Sequence, residues 1–336
     1  MTREVVIVGG GLAGLGLGIA LRRHAVPVTI HEAGHYPRHR VCGEFITSLD
    51  GGTRRALGID KHLEAARPAY GVTWCEDGEQ DISHQLPQPA LCLSRHALDL
   101  AMAKEFVALG GELQTGSRVS FRNEAGVVHA GGRQADPKSL WAGIKQHYGN
   151  LPLHNDLEVH LGRGGYMGLT KVDARTVNVC GLLRRDATDL AEDFPEIARQ
   201  SGFHSLAKRL ARAEPVAGSF CAVAGLNYRA ADRDDAVLRI GDQQSMVPPF
   251  TGHGMTIALQ SAASAMPPIV SWARGEIEWP KARAAAMSAQ RKRFNFRLRM
   301  ARAAHPVLLD PRARRWARTF DRLGVLPVRL LYRMMH

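Results

Sequence analysis

Cysteine is scarce in this 336-residue chain: Cys42, Cys75, Cys92, Cys180 and Cys221 make an odd number, none in CxxC or zinc-like spacing. That argues against a disulfide framework or a cysteine-ligated metal. No apolar run approaches the roughly 18 residues that span a bilayer, and the opening MTREVVIVGG lacks the basic, apolar and small-residue succession of a secretory signal. Both absences point to a cytoplasmic protein. There is no low-complexity tract or internal repeat, and 45% hydrophobic with 23% charged residues excludes disorder as the main state. Acidic residues run short in one place only. The 66 residues from Ser271 to His336 hold sixteen Lys and Arg against Glu276, Glu278, Asp310 and Asp321, which accounts for the whole net charge of +12. A neutral body ends in a basic segment.

What is present begins with Glu4–Val8, a β-branched run that enters Gly9, Gly10, Gly11, Leu12, Ala13 and Gly14. A helix with Leu12, Leu15, Ile19 and Leu21 on its apolar side follows to about His24, then a strand from Pro27 that ends at Glu32. This is a βαβ unit. Residues 33–44 read as an extended loop, 49–66 as a helix, and 72–75 and 90–93 as strands. Ser94 caps a helix that closes at Gly110 and Gly111. Short strands are expected at 112–114, 118–121 and 126–129, the last two as a hairpin around 123–125. From 140 to 183 the alternation predicts a meander of four strands, followed by polar helix at 187–213 and strand at 219–226. The βαβ logic returns with a strand at 237–241, a Pro and Gly loop, and a helix from about Gly254.

Four stretches carry candidate chemistry. In the first, glycines at 9, 11 and 14 permit a tight turn and close backbone approach to a pyrophosphate, while the helix N-terminus offers free N–H groups. Glu32, 18 residues past Gly14, suits a ribose-binding acid. The bland alternative is an empty tight turn. The second is Arg38–Glu44, either a solvated basic loop or a lining in which Cys42 is a nucleophile or a small buried thiol. Arg95 with Asp99 reads alone as a surface ion pair. In the fourth, Arg239–Ala262, Asp242 follows a buried strand and can accept from a polyol. The loop through Pro249, Thr251, Gly252 and His253 delivers a helix N-terminus at Gly254 and Met255. An ordinary proline-rich connector is the rival, and His253 is either a donor or an incidental loop histidine.

Taken together, VVIVGGGLAGLG, Glu32, the RxxxCGE loop, the LSRxxLD helix start and the late GD...PPFTGxGM segment resemble FAD-dependent oxidoreductases. That superfamily includes aromatic-ring hydroxylases of the para-hydroxybenzoate hydroxylase fold, geranylgeranyl reductases and flavin halogenases. The resemblance covers about residues 1–275. It implies an α/β fold: a Rossmann-like FAD-binding domain (1–68, 92–135 and 236–275), an inserted antiparallel-sheet substrate domain (69–91 and 136–235), and a basic helical segment (276–336). It implies pyrophosphate at Gly11–Gly14, ribose at Glu32, phosphate or flavin contacts from Arg40 and Arg95, and Cys42, Gly43 and Glu44 near the flavin. Asp242 would meet the ribityl and pyrophosphate, with the ring near Pro249–Met255.

The departures narrow the chemistry. HAGGRQ has Gly131 where ring hydroxylases carry the Asp of an Asp-Gly pair serving FAD and NAD(P)H, so NAD(P)H stands only as a candidate electron donor. The Trp-x-Trp-x-Ile-Pro signature of tryptophan-type halogenases and the aromatic motif of archaeal prenyl reductases are absent. The resemblance then implies a monooxygenase that hydroxylates a small hydrophobic or aromatic substrate through a flavin C4a-hydroperoxide. A reductase of isoprenoid double bonds and a non-catalytic flavin-binding membrane-surface protein are the alternatives. In the basic segment, 281–336, arginines interleave with Phe294, Phe296, Leu298 and Met300. This pattern fits amphipathic helices packed on the body, or a surface for anionic lipid or an acidic carrier protein. Nucleic acid is set aside, because no recognition motif accompanies the charge.

Overall fold

The computed structural model describes residues 2–120, 123–185, 193–226, 228, 235–323 and 332. It opens with β1 (Val5–Val8), α1 (Leu12–Arg23) and β2 (Val28–Glu32). Three glycines inside α1 each disfavour a helix by about 1 kcal/mol relative to alanine. Two of them, Gly14 and Gly18, are required because the helix is pressed flat on its surroundings there. A Cβ at Gly14 would lie 2.0 Å from the Gly9 carbonyl oxygen, and one at Gly18 would lie 2.8 Å from Ile30 and 2.9 Å from Phe106. Every residue from Leu12 to Leu21 is buried as a result.

After the loop come β3 (Phe45–Ile46), α2 (Gly51–Leu57), α3 (Asp60–Leu63), β4 (Arg67–Glu76), β5 (Ile82–Cys92) and α4 (Arg95–Ala108). The single helix expected at 49–66 is broken by Gly58, which takes a left-handed conformation at φ +64°. Asp50 caps α2 by accepting from the Thr53 N–H, and Ser94 caps α4 by accepting from the His96 N–H. Next follow β6 (Glu112–Thr115) and β7 (Val127–His129).

The expected hairpin is not formed: residues 118–120 make no strand, and Phe121 lies outside the described residues. Instead β7 pairs in parallel with β1, whose second edge would otherwise carry unpaired buried backbone groups.

Four strands, β8 (Trp141–Gly149), β9 (Leu157–Gly162), β10 (Gly165–Lys171) and β11 (Thr176–Arg184), form the predicted meander. Helices α5 (Phe194–Gln200) and α6 (His204–Leu210) cover it, while 186–192 lie outside the described residues. The chain continues through β12 (Glu214–Pro215), β13 (Cys221–Ala224) and β14 (Leu238–Arg239). The helices α7 (Gly254–Ala273), α8 (Trp279–Leu309) and α9 (Pro311–Arg322) complete it.

Two sheets result. The first is entirely parallel, in the order β14-β7-β1-β2-β6. The second runs β12-β8-β11-β10-β9-β4-β5-β3 with β13 also on β8, and only β4 and β9 pair in parallel. The carboxyl ends of β1 and β14 face the second sheet across a cleft, the usual position for a ligand in open α/β sheets.

Helix α8 belongs to the body. Trp279, Ala282, Ala286 and Met287 join the core of the first sheet, and Phe294, Leu298 and Ala301 pack with Val247 and Ile257. Helix α9 is turned inside out by comparison. Its buried residues are Arg314 and Arg318, which reach Glu76 of β4 at 2.8 Å and 3.2 Å, while Trp316, Phe320 and Leu323 are exposed. No helix among the described residues is long and apolar enough to cross a membrane.

Removing one partner of a buried ion pair strands the other charge and costs about 3 kcal/mol or more. Glu76→Gln is therefore expected to lower stability by about that amount and to make α9 the earliest site of tryptic cleavage. Unchanged melting and unchanged protection would show that Glu76 does not hold the helix.

Candidate active site

The cleft contains a cavity of about 930 Å3, at the upper end of the roughly 300–1,000 Å3 common for ligand sites. One end is the glycine turn. Gly9 takes φ +112°, and a Cβ there would lie 2.4 Å from the Ala130 carbonyl oxygen, so the chain crosses β7 only as glycine. At Gly11 a Cβ would meet nothing within 4 Å. This position therefore needs no glycine for packing; the open space lies on the ligand side. The Gly10 N–H donates to Glu32 Oε2 at 2.8 Å, and the Tyr36 hydroxyl donates to the Gly10 carbonyl. Burial raises the Glu32 carboxyl, but the Gly34 N–H, the Arg40 and Arg38 guanidiniums and the Gly10 N–H outweigh it and hold the group below its ordinary value. It is an ionised acceptor.

The far end is built by the loop before α7. Gly241, at φ +62°, packs against α1, where a Cβ on it would lie 3.0 Å from Ala13, and Asp242 beside it lines the cavity. Gly252, at φ +71°, lets Phe45 approach, and the Thr47 hydroxyl donates to the Gly252 carbonyl at 3.3 Å while the Thr256 hydroxyl donates to the Thr47 carbonyl at 2.6 Å. Gly254 again has nothing within 4 Å of its Cβ position. Neither α1 nor α7 has a side-chain cap or an acid in its first turn. Two uncompensated positive helix ends thus face one cavity.

Of the residues predicted from sequence, Gly9, Gly11, Leu12, Ala13, Glu32, Arg40, Cys42, Gly43, Arg95, Asp242, Pro249, Gly252, Gly254 and Met255 line the cavity. Gly14, Glu44, Thr251 and His253 do not. Gly14 packs behind the turn. His253 is fully buried, so its side chain is removed from the cavity as a catalytic donor. Cys42 is on the cavity, but burial pushes its thiol up despite the nearby Arg95 guanidinium, which leaves it protonated and poorly suited to nucleophilic attack. The two arginines are not free surface charges. Arg95 clasps the fully buried Asp99 at 2.7 Å and 2.8 Å, and Arg40 Nε donates to the same carboxylate at 3.0 Å. Each presents only its remaining donors to a ligand.

Glu44 lies beneath the cavity floor. Its carboxylate accepts from the Arg95 N–H at 2.9 Å and from His147 Nε2 at 2.5 Å, with the Lys145 ammonium at 3.5 Å. Burial raises this carboxyl, but the His147 hydrogen bond, the His147 and Lys145 charges and the Arg95 N–H bring it below the ordinary range. His39, Glu44 and His147 lie close enough to share a metal ion. The Lys145 ammonium, 2.8 Å from His39 Nδ1, already supplies the positive charge there.

An aromatic compartment adjoins the Phe250 side, unseen in the sequence reading. Tyr166, Tyr228 and Phe250 line it, and His305 of α8 stacks on Phe250 at 6.0 Å and meets Tyr228 at 5.6 Å and Trp141 at 5.8 Å. These positions come from β10, the segment after β13, the α7 loop, α8 and β8, and no local pattern links them.

No family model and no curated protein matches the sequence. Solved structures do. The flavin-dependent brominase Bmp2 superposes with a TM-score of 0.76 at 17% identity, covering 99% of this chain and 93% of that one. PqsL of Pseudomonas aeruginosa, in complex with 2-aminobenzoylacetate, gives 0.72 at 17% identity over 95% and 100%. A geranylgeranyl bacteriochlorophyll reductase-like protein of Thermoplasma acidophilum gives 0.71 at 16% over 91% and 87%. This chain and those three proteins share one fold, at 16–17% identity.

Burial lowers the His305 imidazole from 6.5 to about 4, so it stays neutral in the folded chain while the unfolded chain takes up a proton. Stability from this residue is therefore complete above about pH 6.5 and is lost progressively as pH falls towards 4. His305→Phe is expected to flatten the pH dependence of the melting temperature across that window, and an unaltered slope would refute the assignment.

Proposed function

We propose that the chain binds FAD along the cavity and oxidises a small hydrophobic, aromatic substrate held in the compartment of Tyr166, Tyr228 and Phe250. The observation that carries this reading is the pair of glycine-opened helix ends, at Gly11 and Gly254, with the ionised Glu32 at one end of the same cavity. Those parts fit a long ligand with an anionic centre and a polar ribose. In this arrangement Gly11, Leu12 and Ala13 bind pyrophosphate with Gly14 packed behind them, Glu32 accepts from the adenosine ribose, and Asp242 accepts from the polyol linker. The N-terminus of α7 stabilises negative charge on the ring system. Residues 1–68, 92–135 and 236–275 hold the cofactor, and 69–91 with 136–235 cover the substrate.

When bound, FAD supplies the electrons, with NAD(P)H proposed as their source. The chain orients the ring and substrate and keeps water from the compartment. The shared fold with PqsL, a probable FAD-dependent monooxygenase seen with 2-aminobenzoylacetate, supports hydroxylation as the reaction. The reductase-like neighbour keeps double-bond reduction as the second reading.

Gly11→Ala separates folding from binding, since its Cβ meets no protein atom. It is expected to leave the melting temperature of the FAD-free protein unchanged and to weaken FAD at least tenfold by absorbance titration, a change of about 1.4 kcal/mol. Wild-type affinity in this variant would sink the proposed path. With FAD bound, substrate-dependent oxygen uptake and an oxygenated product are expected. A product gaining two hydrogens without oxygen would replace the first reading by the second.

The partner we propose for α9 is an anionic membrane surface. Trp316, Phe320 and Leu323 lie on one side of the helix, beside exposed Arg312, Arg315 and Arg322. That combination suits insertion among acidic headgroups. Sedimentation with anionic vesicles is expected, and the Trp316→Ser, Phe320→Ser double variant is expected to lose it; equal sedimentation with neutral vesicles would contradict the proposal.

A further inference from the structure

We propose that His39 is the proton donor of the cavity and that buried Lys145 recharges it. His39 lines the cavity, stacked on His96 at 4.4 Å and edge-on to His147 at 5.0 Å. Its Nδ1 lies 2.8 Å from Lys145 Nζ. An ammonium only donates, so Nδ1 must accept and the ring proton must sit on Nε2. Nε2 has no hydrogen-bond partner among the described residues. The neighbouring lysine thus fixes one tautomer and leaves its N–H for whatever occupies the cavity.

Lys145 is fully buried in the centre of β8. Its register partners are Cys180 on β11 and Cys221 on β13, so a thiol flanks it on either side of the same face. Thiols accept weakly, and Glu44 and His39 are the strong acceptors in reach. Behind Glu44 stands His147, whose backbone N–H donates to Ser219 Oγ at 3.0 Å. Burial, the Lys145 charge, His147 and His96 together push His39 down to about 4, against the upward pull of Glu44. At neutral pH the ring is uncharged and poised in the donating form.

The step transfers protons only. The Nε2–H bond of His39 breaks and its proton goes to a ligand oxygen or nitrogen that has gained electron density. Nδ1 takes a proton from Lys145 Nζ, which becomes the neutral amine; once the protonated ligand leaves, Nε2 takes a proton from water entering the cavity and Nδ1 returns its proton to Lys145. The inference rests on the proposed flavin chemistry for the identity of that acceptor, but the state of His39 does not.

The two are tested separately. In the full chain labelled with 15N-histidine and free of FAD, NMR is expected to show His39 as the Nε2–H tautomer, still neutral at pH 5. In Lys145→Met its pKa is expected to rise by about one unit or more. The Nδ1–H tautomer, or titration near 6.5 in the wild type, would overturn the proposal, as would no shift in Lys145→Met. In the FAD-loaded protein, His39→Gln is expected to bind FAD within about twofold of wild type and to slow turnover about 100-fold. Its pH profile should lose the limb that depends on proton delivery. Undiminished turnover would remove the donor role even with the expected NMR. If FAD does not bind at all, the proposed function fails while the NMR still decides the state of His39. Should Lys145→Met not fold, Lys145→Arg supplies the second arm: it retains the cation and is expected to keep His39 neutral and Nε2-protonated, and loss of that tautomer would count against the assignment.

Discussion

The Glu44 carboxylate is the point to which the rest of the site is tied. Stripping water from a carboxylate costs several kcal/mol, so a fully buried one persists only with donors on every side. Here the donors come from distant parts of the chain: the N-terminus of α4 through Arg95, and the centre of β8 through Lys145 and His147. The residue also sits at φ +58°, a conformation that costs a non-glycine about 1–3 kcal/mol. The contacts outweigh that strain, and in doing so they lock the Arg38–Glu44 loop between the two sheets. Asn178 adds a stitch by donating to the Cys42 carbonyl at 2.9 Å. The cavity floor therefore has a fixed shape before any ligand arrives.

This arrangement explains which parts of the molecule are legible in sequence. The turn at Gly9–Gly14 and its acid, Glu32, are set within one βαβ unit, so spacing alone identifies them. The helix at Gly254 and its preceding loop are local in the same way. The charge network is not. His39 and Lys145 are 106 positions apart, and Glu44 and His147 are 103 apart. The sequence shows only a lysine in an apolar strand and an acid in a basic loop. Likewise the chain around Cys42 leaves a nucleophile and a small buried thiol both open, and burial, a property of the tertiary structure, decides for the thiol. The misread hairpin near 118–129 has a similar origin: local turn signals suggested an antiparallel partner, whereas the open edge of β1 takes β7 in parallel.

The basic C-terminal charge also changes meaning once placed. Several of its arginines work inside the fold. Arg293 bonds Asp50 and Thr53 at the start of α2, Arg302 donates to the Tyr228 carbonyl and to Ser245, and Arg283 donates to the Ala236 carbonyl. Long arginine side chains can span the gap between a helix and loops that offer only carbonyl groups. Part of the +12 is therefore a means of assembling irregular segments around α7, and α9 adds outward arginines at 312, 315 and 322.

Helix α8 extends this point, because near its C-terminal end it sets His305 against the aromatic wall of the cavity. The helix that supplies core residues at its beginning thus supplies part of the ligand compartment near its end. A shortened protein ending after α7 would open the first sheet's core at one place and unroof the compartment at another. The solvent-facing charge and the buried side chains are carried by the same piece of polypeptide.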